Sequence, residues 1–134
     1  MIKVVSFLGA IIAAMLVAFI LLAAVEVLSS IVHPFPADFG NTMEDMHQHV
    51  ARCPGWVLAV VVPVWGLIAF ISTWIAKRIG GRGAGVVIAL LLVVAVLFNV
   101  SSLPYASWFK IASVVAVLFA VVVPIRPVST AAGH

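Results

Sequence analysis

Charge is what this sequence has least of. Asp, Glu, Lys and Arg make up 8% of its 134 residues, against roughly 25% in an average soluble domain. Hydrophobic residues make up 66%, and the mean hydropathy is +1.35. A soluble domain of this size buries only about two-thirds of its surface and cannot hide that much apolar area. Lipid is therefore the expected solvent for most of the chain, and the length suits one domain.

Cysteine is nearly absent too. The single Cys53 excludes an internal disulfide, a four-cysteine zinc site, a CxxC redox pair and covalent haem attachment. No GxSxG, HExxH or GxxxxGK[ST] pattern occurs, which removes the common serine-hydrolase, zinc-protease and phosphate-loop signatures. Haem held between helices needs histidines inside the apolar runs, and those runs contain none. No cofactor is expected, and the chain reads as non-enzymatic. The net charge of +3 does not indicate nucleic acid. Its seven basic residues are scattered, and Lys77, Arg78 and Arg82, the one cluster, flank an apolar run as cytoplasmic membrane flanks do.

Four apolar runs are present, at about residues 4–32, 56–76, 84–103 and 105–123. About 20 residues of helix cross a hydrocarbon core of about 30 Å. Only helices satisfy their own backbone in lipid at this length. The first run is too long for the apolar core of a secretory signal peptide, so it is expected to stay as an anchor. It carries small residues four apart, Gly9 with Ala13 and Ala10 with Ala14 and Ala18, a spacing that lets helices approach closely. The fold expected is all-α: a four-helix transmembrane bundle over residues 1–127, with residues 128–134 as a flexible tail.

Between the first two runs lies a polar loop, residues 33–54, with three of the four acids and three of the four histidines. Asn41 or Thr42 can cap a short helix, with Glu44 or Asp45 closing the capping box. Met43, Met46 and Val50 then form an apolar stripe. This helix is expected on the membrane surface or over the bundle mouth. Pro54 suits the first position of the second helix, and Pro63 a kink within it. Residues 77–83 (KRIGGRG) read as a tight turn. Pro124 and Pro127 are expected to end the fourth helix. Lys3, Lys77, Arg78, Arg82 and Arg126 fall on one side, and Arg52 and Lys110 on the other. That imbalance puts both termini in the cytoplasm.

Glu26 is the most informative residue, because an ionisable group within a span requires a partner or a proton. Counted by depth, Asn99, Lys110 and Ser113 come to a similar level, which predicts an intramembrane polar cluster of these four. It reads either as an ion or proton site or as a structural pair fixing helix register. In the loop, Glu44 and His47 share a helical face, as do Asp45 and His49. His33, Glu44, His47, His49 and Cys53 are the candidate metal ligands, set against the plainer reading of exposed polar groups.

Several short features occur together: Glu26 late in the first span, His33-Pro34-Phe35-Pro36, and Pro54 before the second span. Trp65-Gly66, the basic turn, and Pro104 followed by Trp108-Phe109 complete the set. Together they resemble an uncharacterised family of small four-span bacterial integral membrane proteins. The resemblance implies four helices and a bacterial inner membrane, and it supplies no activity and no site residue. The function expected is that of a non-enzymatic accessory or structural subunit. Its partners would be the lipid bilayer and other membrane subunits or a second copy, with no nucleic acid. One alternative is a small transporter or channel component using Glu26 and Lys110. The other is a metal-binding or redox membrane protein using the outer loop.

Overall fold

The computed structural model describes residues 1–127. The flexible tail expected at 128–134 lies outside the described residues. The chain is all-α, with α1 at Ile2–Val32, α2 at Met43–Ala51, α3 at Gly55–Ser102 and α4 at Ser107–Ile125. Three of these, α1, α3 and α4, are long and apolar enough to cross a membrane.

The second and third apolar runs form two helical arms, labelled together as α3, that meet at Gly81 in a tighter reversal than the turn expected over residues 77–83. Straight, α3 would extend about 72 Å. It reverses at Gly81, where φ is 83° and ψ is −178°, a backbone region essentially restricted to glycine. The arms, residues 55–80 and 82–102, then lie side by side. A Cβ on Gly85 would stand 3.2 Å from the Lys77 Cβ, whereas eight residues of straight helix span about 12 Å. Hydropathy marks the apolar slab, not the helix ends, so the basic residues around Gly81 stay helical.

α1 and α4 both pack on α3 and not on each other among the described residues. The α3 arms form the central layer. On one side Ala10, Ala14 and Ala18 of α1, at most 4% exposed, bury their stripe, with Ala10 and Ala14 packed among Ala76, Ala84 and Ile88. Gly9 and Ala13 lie outside that stripe, and Gly9 has open space where a Cβ would be. Nothing in lipid drives apolar surfaces together, so this contact depends on close van der Waals approach. A Cβ on Gly80 would come within 2.6 Å of the Ala10 Cβ, which shows how close the backbones are. On the other side Val117, Ala120 and Val121 of α4 pack with Ala69, Ala89 and Val96.

Pro63 sits inside α3, and the non-helical backbone falls at Gly81 rather than there. Its ring still leaves the Ala59 carbonyl without a helical donor. Pro54 is the N-cap of α3 rather than its first helical residue, with ψ at 142°. Pro124 lies in the last turn of α4, and the helix runs one residue past it to Ile125, because proline disturbs the turn behind it and not the one ahead. The carbonyls at this end are covered by the basic turn. Lys77 Nζ donates to the Pro124 oxygen at 2.7 Å, and Arg82 Nε donates to the Ile125 oxygen at 3.1 Å.

Candidate functional site

α1 buries nothing beyond Ala18. At about 46 Å it is also longer than a hydrocarbon core. Its C-terminal half therefore stands off the α3 pair, and α2 lies across the gap. Beneath α2 is a cavity of 300 Å³, at the lower end of the range for ligand pockets. Every segment contributes to its wall: Glu26 from α1, Met46 and His49 from α2, Trp65 and Asn99 from the two α3 arms, and Phe109 from α4.

α2 is held in place by local chemistry. Thr42 is its N-cap and accepts from the Asp45 N–H at 3.1 Å. Asp45 Oδ2 in turn accepts from the Gly40 N–H at 2.9 Å. This is the expected box, with the carboxylate reaching back two residues beyond the cap. Hydrogen bonding from the Thr42 side chain to the carboxyl, and then from the Gly40 N–H, holds the Asp45 carboxyl below its usual range. Asn41 turns the chain into the helix with φ at 60°, a conformation asparagine tolerates. Of the expected apolar stripe, Met46 and Val50 face the cavity, and Met43 is exposed. The helix thus covers the bundle mouth.

Aromatic stacking fastens α2 to the end of α1. The His49 ring stacks on His33 at 4.2 Å and on Phe35 at 4.3 Å. A ring has two faces, so His49 is sandwiched. A His33 ring nitrogen, Nε2, also lies 3.0 Å from the His49 carbonyl oxygen. Burial, and secondarily the neighbouring His33, push the His49 pKa down. Burial pushes the Cys53 thiol up, away from the thiolate that metals and electrophiles require.

Of the four residues expected to form the intramembrane cluster, Glu26 and Asn99 line the cavity, while Lys110 and Ser113 do not. The reason lies in the packing order. α3 separates α4 from α1, and the α4 residue facing the cavity is Phe109, 0% exposed. One helical step of about 100° turns Lys110 away from that direction. Ser113, one turn below Phe109, is fully buried and its Oγ has no hydrogen-bond partner. Asn99 Oδ1 is likewise buried without a partner. Glu26 is exposed at the open lip of the cavity.

Among the loop histidines and their neighbours, His33, His49 and Cys53 also line the cavity, whereas Glu44 and His47 do not. Glu44 Oε1 accepts from the Gln48 amide at 3.2 Å. His47 Nε2 is buried without a partner. Among the described residues no three His, Cys, Asp or Glu side chains come together as a metal-ligand set.

Sequence reasoning did not identify Tyr105 and Phe109 as cavity residues. The two rings are 4.6 Å apart, and Trp65 packs edge-on against Phe109 at 5.5 Å. Tyr105 precedes α4, so its place beside Phe109 comes from the non-helical approach to Ser107 and not from a shared helical face. Trp65 and Asn99 also line a second, mainly apolar cavity of 170 Å³ reaching toward Ile68 and Val117. The resemblance to small four-span bacterial proteins rests on motifs alone. No family model matches the chain, and no curated protein or solved structure matches it.

Proposed function

We propose that this chain is a non-enzymatic four-span protein of a bacterial inner membrane, with both termini cytoplasmic. Each α3 arm serves as one span, and the cavity under α2 takes up a small solute as part of a transport or channel system. The observation that carries this reading is the shared cavity of Glu26 and Asn99, contributed by α1 and by the second arm of α3. A carboxylate at that level needs an occupant or a proton, and the α3 layer keeps Lys110 from serving as its partner. The five cations of Lys3, the Gly81 turn and Arg126 support the orientation through the positive-inside rule.

A second reading, an accessory subunit packing against other membrane proteins, is favoured by the outer half of α1. Val27, Leu28 and Ile31 are at least 60% exposed there, and no residue beyond Ala18 is buried.

Purification from the native membrane in lipid nanodiscs, with the retained components identified by mass spectrometry, tests both readings. A small solute retained by the native protein and lost from Glu26→Gln supports the first. A stoichiometric protein partner with no such solute overturns it in favour of the second.

A further inference from the structure

The chemistry of the cavity wall narrows the class of solute. Among the described residues the wall contains no Lys or Arg, and Glu26 is its single carboxylate. A carboxylate accepts hydrogen bonds and attracts positive charge. Asn99 adds a buried Oδ1 with no donor, a group that costs stability until an N–H or O–H reaches it. The inner wall also carries Trp65, Tyr105 and Phe109, packed ring to ring, beside the aliphatic Val57, Leu58, Val61 and Leu103. Aromatic faces attract cations, especially where water is excluded. Trp65 and Asn99 also border the mainly apolar second cavity of 170 Å³, so the surroundings of the site toward Ile68 and Val117 are apolar.

We infer that the cavity binds a protonated amine carrying a small apolar group. The ammonium is held at the Glu26 carboxylate, on the side of the cavity that Asn99, Trp65 and Tyr105 line. This rests on the reading of the cavity as a solute site and goes beyond it by naming the class. A doubly charged metal ion fits less well, since no three ligating side chains converge among the described residues. An anion meets a carboxylate and no guanidinium or ammonium. An N–H-bearing ammonium suits the site better than a quaternary one, because the Glu26 carboxylate accepts hydrogen bonds.

The test uses the full chain in lipid nanodiscs at pH 7 and calorimetric titration with 2-phenylethylammonium and its neutral counterpart 2-phenylethanol. The ammonium is expected to bind saturably and more tightly than the alcohol. Its affinity should fall about tenfold or more in Glu26→Gln, the loss expected for one charge-assisted hydrogen bond. Glu26→Asp, which keeps the charge, should retain binding, and unchanged helix content and elution volume confirm that the variants are folded. Equal affinity of the ammonium for native protein and Glu26→Gln overturns the inference. Binding of the alcohol as tight as that of the ammonium overturns the amine class and leaves the cavity standing as a site. Saturation by neither probe overturns both.

Discussion

Three glycines in this chain have three different roles, and one substitution separates them. At Gly81 the positive φ belongs to a region costly for any side chain, so Gly81→Ala should destabilise the protein by about 1–3 kcal/mol. At Gly80 the backbone is helical, but an added methyl would meet the Ala10 and Ala84 Cβ atoms at 2.6 and 2.8 Å. Neither atom can rotate away, so Gly80→Ala should separate α1 from α3, at a cost of about 1–3 kcal/mol. At Gly9 nothing lies within 4 Å. Gly9→Ala should be neutral or stabilising by up to about 1 kcal/mol, because alanine is the better helix former. Reversible unfolding in detergent with added denaturant checks all three. Gly9→Ala as damaging as Gly80→Ala would contradict the packing described.

The short elements have their own dependence on solution conditions. α2 is attached through the His49 sandwich, and the depressed His49 pKa sets the sign of its pH response. The unfolded loop takes up a proton more readily than the docked one. Docking is therefore fully stabilised above the ordinary histidine value of 6.5 and weakens as pH falls through it toward the lower folded value. Hydrogen exchange across residues 43–51, corrected for intrinsic rate, should show protection decreasing as pH is lowered from 7.5 to 5. His49→Phe keeps the stack without the proton and should remove that dependence; a slope unchanged in this variant refutes the assignment. The end of α4 depends on cations instead. Lys77 and Arg82 cover its last carbonyls, a favourable place for positive charge. Lys77→Met should increase exchange at residues 122–126 and leave α2 unaffected. The helices themselves were legible in the sequence, because apolar runs of this length permit little else in lipid. The capping box was legible as well, since Thr42 and Asp45 have the spacing it requires. The Lys77 and Arg82 contacts were not, because a basic flank looks the same whether its side chains meet lipid headgroups or a neighbouring helix end.

For the molecule as a whole, depth was easier to read than azimuth. Counting residues from the span ends set Glu26, Asn99, Lys110 and Ser113 at one level, but level does not fix which helix neighbours which. The structure interposes α3 between α1 and α4, so Glu26 and Asn99 meet at one cavity and Lys110 lies outside it. The role of Gly81 could be read as a turn, yet the pairing of the α3 arms gathers residues 20 apart, such as Ala69 and Ala89, into one buried cluster, which hydropathy does not encode. In the proposed orientation the Glu26–Asn99 cavity opens to the outer side and the Gly81 turn faces the cytoplasm. Single cysteines introduced into a Cys53→Ser background and treated in intact cells with a small membrane-impermeant thiol reagent test it directly. Glu26→Cys and Asn99→Cys should react from outside, Ile20→Cys, exposed on α1 away from the cavity walls, should not, and Gly83→Cys should react only after the membrane is opened. Silent Glu26→Cys and Asn99→Cys, or a Gly83→Cys that reacts in intact cells, would contradict the account.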